Sequence, residues 1–410
     1  MATRSSTETE NGADGTETTQ QRTSRWSRRF VLAGAAFLLC WQAAALAGAG
    51  RRAAVALGVL GFVFHTIFGK AYSLLPTYFD RTLATARWLP VQFALTVPAA
   101  ALLAVDAAFS APLAGLAGAV LWTAGVAVFL GTLLWTIRDN LTGRETGTGE
   151  SKAHLRPTDR IANAVVPVAL AYLALGSYGV LGGRGPVPAL LDGYPPRATH
   201  LLAAGGAALV LFAVGFRLLP RFLAVAPSRR LAAVVLSAGA IGPALLAVGL
   251  PAGPLFRIGA AVEAVAVVGF AAGYALLFVR SDNDRVGFYG VLAGAGTGVL
   301  AALLGVSFAV AGVDPALAAA HYRLNVLGLL GLSIVGVSYQ FYPPAVGRFR
   351  GAGDRTALAA IGLVAAGLLV EVAGLTTAVG LAAVAGRALA LAGAAVHLYL
   401  LAGLFRQQYG

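Results

Sequence analysis

The chain has 410 residues, of which 58% are hydrophobic and only 11% charged, with a formal net charge of +13 and a single cysteine, Cys40. Soluble domains carry roughly 25% charged residues, so this composition excludes a soluble globular protein, and one cysteine excludes an internal disulfide framework or a cysteine-rich metal cluster. In a membrane protein the positive excess belongs on cytoplasmic loops, so no nucleic-acid partner is expected.

Residues 1–24 are mostly Thr, Glu, Ser, Gly and Gln without a periodic apolar pattern, and Arg25, Arg28 and Arg29 follow. Residues 1–29 therefore read as a disordered cytoplasmic tail, too long and polar for a cleaved signal peptide. Apolar runs of about 20 residues, each enough to cross a hydrocarbon core of about 30 Å, then recur twelve times. They lie near 30–50, 52–76, 87–108, 112–137, 161–182, 198–220, 229–250, 254–280, 287–312, 317–343, 355–375 and 379–404. Inside lipid every backbone polar group must be paired within its own segment, so each run is expected to be a helix. The expected fold class is an all-α polytopic membrane protein, with a twelve-span domain over 30–410. The most polar connection, Arg138 to Arg160, joins spans four and five and reads as a flexible loop containing a solvated His154.

Loop charge sets the orientation. With the N-terminus inside, cytoplasmic connections hold Arg81 and Arg87; Arg138, Arg144, Lys152, Arg156 and Arg160; Arg221, Arg229 and Arg230; Arg280 and Arg285; and Arg348, Arg350 and Arg355. The outer margins hold mainly Arg51, Arg52, Arg184, Arg197 and Arg257. This asymmetry predicts both termini in the cytoplasm of a cell whose plasma membrane holds the protein. The preference for Arg over Lys, with heavy use of Ala and Gly, points to a GC-rich prokaryotic genome.

The spans divide into three groups of four, about 30–137, 161–280 and 287–404, and the second span of each ends alike. Gly69, Tyr72 and Pro76 share their spacing with Gly336, Tyr339 and Pro343, and Gly215 to Pro220 echoes it on span six. Such internal similarity is the mark of a repeat. Each of these spans also carries a histidine: His200 and His321 near the outer face, and His65 about three turns deeper.

Three four-helix arcs with histidines on the second helix of each resemble the catalytic subunit (subunit I) of heme-copper oxidases, nearest the cb-type and nitric-oxide-reductase branch. On span ten His321, Gly328, Gly331, Gly336, Tyr339 and Pro343 are similar to the family's spacing, and His321 falls on its axial ligand to the high-spin heme. The second histidine of that span, which holds the low-spin heme, is replaced by Arg323, and its partner on span two by Ala53, Ala54 and Ala56. His200, twenty residues before Pro220, is similar to the family's first copper ligand, while 229–250 lacks the histidine pair that completes the copper site. The resemblance thus implies an oxidase fold degenerate at its metal sites. Reducing O₂ needs a low-spin heme and a copper held by imidazoles, so no oxidase activity, no catalytic residue and no copper are expected. One heme between spans six and ten, on His200 and His321, remains as the implied cofactor. An electron donor or further membrane subunits are the implied partners, beside the lipid bilayer.

Ionisable residues at membrane depth are functional candidates. For His200 and His321 two readings stand open, a shared heme site or interfacial hydrogen bonding near the membrane surface. Arg323 reads as a bidentate donor to a heme propionate or an acidic lipid headgroup, or as a snorkelling side chain. Lys70 lines a proton or anion path shared with His65, or snorkels, with His65 a satisfied buried histidine. Glu371 and Arg387 lie at comparable depth across a short turn and read as an intramembrane ion pair. Glu263, Arg217 and Asn325 have no partner legible from sequence, and His397 reads as structural. Gly290, Gly294, Gly296 and Gly298 read as small-residue helix contacts rather than a phosphate loop. The alternatives to the oxidase-like reading are a secondary transporter with a polar site around Lys70 and Glu263, or a non-catalytic structural membrane protein. Common transporters repeat twofold, which weighs against the former.

Overall fold

The computed structural model describes residues 17–409. Twelve helices are long and apolar enough to cross a membrane: α1 Thr19–Leu46, α2 Arg51–Tyr78, α3 Leu89–Phe109, α4 Pro112–Asn140, α5 Glu150–Gly182, α6 Pro195–Leu223, α7 Arg229–Gly249, α8 Pro254–Val279, α9 Val286–Ala311, α10 Pro315–Phe341, α11 Asp354–Thr376 and α12 Gly380–Gln408. Among the described residues there is no strand. The protein is an all-helical polytopic integral membrane protein.

Two helices start earlier than their apolar runs predict. Residues 19–29, assigned to the tail, are helical, because Thr18 and Gln21 close a capping box that satisfies the first orphan amides. Residues 1–16 of that tail lie outside the described residues. At the head of α5 a 3₁₀ turn, Glu150–Leu155, leads into helix from Arg156, where Pro157 and Asp159 suit a first turn.

Chain order fixes a ring. Outer helices α1, α3, α4, α5, α7, α8, α9, α11 and α12 each pack on the next, and α12 returns to α1. The three helices left out of the ring, α2, α6 and α10, touch one another inside it. Their apolar windows are 78%, 67% and 78% buried against 44% or less for every outer helix, so the repeated signature belongs to the inner helices. A second repeat is visible in the backbone. Each inner helix shifts to i→i+5 bonding over Val55–Phe64, Leu201–Ala208 and Leu324–Leu332. These segments end twelve residues before Pro76 and Pro220 and eleven before Pro343. π-helical turns of this kind are rare and cluster at functional sites.

Outer helices show lipid-compatible surfaces. Ile241, Val265, Leu303 and Leu369, in mid-span, stand about half exposed, a surface that water would penalise and lipid does not. We call the face at which α2, α6 and α10 begin the upper face.

One close helix contact lies between α9 and α10. A Cβ on Gly336 would collide with the Gly287 carbonyl oxygen and stand 2.9 Å from Val291 N. Gly290 and Gly294 press on the same helix and Gly298 meets Leu329, while Gly296 faces open space. Because the obstacle is backbone, Gly336→Ala must part the helices, and overpacking of this kind costs about 1–3 kcal/mol. Thermal unfolding in detergent should show that loss, and Gly296→Ala should show none.

Candidate functional site

His200 sits at the end of the first turns of α6, and His321 in the second turn of α10. The inner position of both helices brings the rings to 6.5 Å between centroids, with planes 25° apart. His200 Nδ1 lies 2.8 Å from the Pro196 carbonyl and His321 Nδ1 2.9 Å from that of Ala301. A carbonyl only accepts, so Nδ1 carries the proton in both rings and each Nε2 keeps its lone pair. Asn325 Nδ2 stands 3.5 Å from His321 Nδ1 and 3.2 Å from Nε2. Near-equal distances to both ring nitrogens place the amide over the ring face, so the in-plane lone pair is not used. The amide donates instead to the His321 carbonyl at 3.0 Å. Phe308 packs edge-on against His321 at 5.6 Å.

The pair opens on a cavity of about 1030 Å³ at the upper face, enclosed by the heads of α2, α6 and α10 and by α5, α7, α8 and α9. Its walls are mostly apolar, with Ala204, Ala208, Val267, Val326 and Leu329 at depth. Glu263 lines it, with an Oε2 that has no partner among the described residues. Two arginines on the rim are neutralised. Arg184 meets Asp106 at 3.1 Å. Arg197 donates to both Asp192 oxygens at 2.7 Å and to the carbonyls of Ala247 and Val248, and this grip holds the Asp192 carboxyl down to about 2. Arg51 and Arg52 also line the cavity, exposed and in no ion pair among the described residues.

Other candidates lie elsewhere. Arg323 turns away from the cavity, which corrects its reading as a cofactor- or headgroup-binding residue. It donates to Glu371 at 2.8 and 2.6 Å and to Gln42 at 2.7 Å, with its guanidinium 4.8 Å over Trp41. Arg387 holds the other Glu371 oxygen at 2.9 Å, so the expected Glu371 and Arg387 pair is part of a triad. A buried cation takes the nearest buried anion rather than reach for the interface.

Lys70 and Glu263 do not form one polar site. Lys70 lies toward the lower face, donating to Tyr342 Oη at 2.9 Å with its ammonium over the rings of Phe341 and Tyr342, and it borders a different cavity from Glu263. Nor does His65 share its path. That ring is fully buried among Phe30, Phe37, Phe68 and Trp122, with Nδ1 2.9 Å from the Leu60 carbonyl. His397 is buried 3.1 Å from Tyr339 Oη, and His154 is exposed.

Arg217 acquires the partners that sequence could not name, and they correct the reading of 138–160 as a flexible loop. It donates to the carbonyls of Tyr78 (2.8 Å) and Thr146 (2.7 Å) and to Asn163 Oδ1. Asp159 stands 3.6 Å away, itself bound to Arg221 at 2.6 Å and to Thr148. Asn140, Thr146 and Thr148 are buried as a result.

Sequence reasoning missed Arg51 and Arg52 as lining residues, counting them only as loop charge. Their place at the head of an inner helix was the available signal. Among the described residues no three His, Cys, Asp or Glu side chains converge as a metal site.

Together these features define a multi-pass integral membrane protein whose inner helices head a mostly apolar vestibule with a few polar side chains. No protein-family model matches the sequence, and no curated protein matches it.

Proposed function

We propose that this protein is a heme-copper-oxidase-like membrane protein, without oxidase activity, that holds a single heme through His200 and His321. The observation that carries the reading is the pair's geometry. A metal ion between two imidazoles whose Nε2 atoms face it sits about 2 Å from each nitrogen, which puts ring centroids about 6 Å apart, and this pair stands at 6.5 Å. Both Nδ1 atoms are anchored on backbone carbonyls, the outer-shell bond that orients metal-bound histidines.

The surroundings fit the group. The vestibule, about 1030 Å³, is at the top of the ~300–1,000 Å³ range of small-molecule sites, its deep walls are apolar, and Arg51 and Arg52 are available to carboxylates at its mouth. The placement of all three signature helices inside the ring also supports the resemblance. A bound heme supplies reversible one-electron chemistry. The chain's own part is to fix both imidazoles, shield them with Phe308, Val326 and Leu329, and meet anionic groups with arginine. On the loop charges the upper face is the outer face of a plasma membrane, where an electron donor or a further membrane subunit would have access.

Protein purified from a heme-sufficient host should show a Soret band in oxidised and dithionite-reduced spectra, abolished by His321→Ala and lost or shifted by His200→Ala. A colourless preparation overturns the proposal, as does a Soret band that neither substitution alters.

A further inference from the structure

Below the vestibule a second cavity of about 100 Å³ lies between the same three helices. It runs from Val63, Ala207 and Leu330 down to Lys70, Leu218 and Phe341. Leu330 is the one residue, among the described residues, that borders both cavities, and it is 3% exposed. From His321, in the upper cavity, to Phe341, beside the lower, α10 advances twenty residues, roughly 30 Å at about 1.5 Å each. That is about the thickness of the hydrocarbon core. The two cavities and Leu330 therefore occupy the axis of the inner helices through most of the membrane.

Charge along this axis has one sign at each end. Among the described residues Arg51 and Arg52 at the upper mouth are in no ion pair, nor is Lys70 at the lower cavity, which donates to the Tyr342 hydroxyl and lies over the rings of Phe341 and Tyr342. No carboxylate among the described residues borders the lower cavity. In the upper one Asp106 is taken by Arg184, leaving Glu263 as the remaining acid. Cationic side chains at both ends of a low-dielectric passage concentrate anions and repel cations. At the level of Leu330 the α10 backbone is π-helical, and Ala207 and Val63 beside it belong to the π-helical stretches of α6 and α2. Leu330, the apolar side chain between the two cavities, stands where an apolar constriction closes a pore by excluding water.

We propose that the three inner helices form an anion path, gated at Leu330, that carries a small inorganic anion of halide or nitrate size between the vestibule and the Lys70 cavity. This activity does not depend on a heme at the vestibule, whose presence is read separately from the Soret band of the same preparation.

The test is iodide flux into proteoliposomes of the full chain loaded with a halide-quenched dye. Wild-type protein should carry iodide above the rate of empty liposomes. Leu330→Ala should raise that rate about tenfold, as a barrier lowered by one decade does, and Lys70→Met should lower it about tenfold in either background. Potassium flux should stay at the empty-liposome level throughout. The proposal is overturned if Leu330→Ala, eluting as wild type does, carries no more iodide than empty liposomes, carries potassium as readily, or ignores Lys70→Met. Should Leu330→Ala fail to fold, wild type and Leu330→Val decide, and rates at the empty-liposome level for both overturn it.

Discussion

Glu371→Leu is expected to destabilise the protein by about 3–5 kcal/mol, the cost of breaking a buried ion pair from one side. Its carboxylate is 2% exposed and is bound by cations, Arg323 at 2.8 and 2.6 Å and Arg387 at 2.9 Å. Removal leaves two guanidiniums facing each other at membrane depth, one of them with an Nη1 already lacking a partner among the described residues. Arg323→Met should cost less, because Glu371 keeps Arg387 on Oε1 and stays paired, although its Oε2 and the Gln42 Oε1 each lose the donor Arg323 supplied. The triple replacement Arg323→Met, Glu371→Leu, Arg387→Met should recover most of the loss, since a buried ionic group exchanged as a unit for apolar side chains is often neutral. Thermal unfolding in detergent gives the order. A triple variant less stable than Glu371→Leu would show that the triad is net stabilising rather than self-compensating. Because Arg323 turns away from the vestibule, Arg323→Met should also leave any Soret band in place.

The parts of this fold that depend on one helix at a time were legible in the sequence. Twelve apolar runs gave twelve helices because span length is set by bilayer thickness, not by neighbours. The Gly, Tyr and Pro spacing shared by spans two and ten, echoed by Gly215 and Pro220 on span six, marked the inner helices, since close approach to a neighbour's backbone, as at Gly336 against Gly287, admits no side chain. The early start of α1 was also legible: Thr18 and Gln21 have capping-box spacing, obscured by the polar composition around them. Contacts between faces of distant helices were not. Glu371 and Arg387 face each other across one short turn at matched depth, which is a local relation. Arg323 reaches Glu371 from 48 residues away, and that depends on how α10 is rotated about its own axis, which no local rule fixes. The vestibule divides the same way. Similar depth for His200 and His321 follows from the repeat, whereas the shared cavity with Glu263, Arg51 and Arg52 follows from ring closure.

Arg217→Met should release the connection between α4 and α5. The side chain is 3% exposed, and its guanidinium lies 4.1 Å over the Tyr78 ring while binding the carbonyls of Tyr78 and Thr146 and the Asn163 amide oxygen. Methionine fills much of the volume but donates nothing, so the Asn163 amide oxygen loses its donor, at about 1–3 kcal/mol before relaxation, while the Tyr78 and Thr146 carbonyls each lose one of two and keep Asn163 Nδ2 at 2.7 Å and Thr148 Oγ1 at 3.4 Å. Asp159 tempers the loss by keeping Arg221 and Thr148. A net weakening of about 2–3 kcal/mol, confined to this corner, is expected. The measurement is limited trypsin digestion, because Arg144 and Lys152 are exposed cleavage sites within the connection. When opening and closing are fast, cleavage tracks the population of the open form. A weakening of about 2 kcal/mol then raises the cleavage rate roughly thirtyfold. His154→Ala, in the same connection but exposed and outside this polar cluster, should leave the rate unchanged. Equal digestion of wild type and Arg217→Met would mean that the connection opens as a unit without involving Arg217. The hold would then have to come from Asn140, whose amide bonds the carbonyls of Phe79 and Glu145 at 3.0 and 2.8 Å.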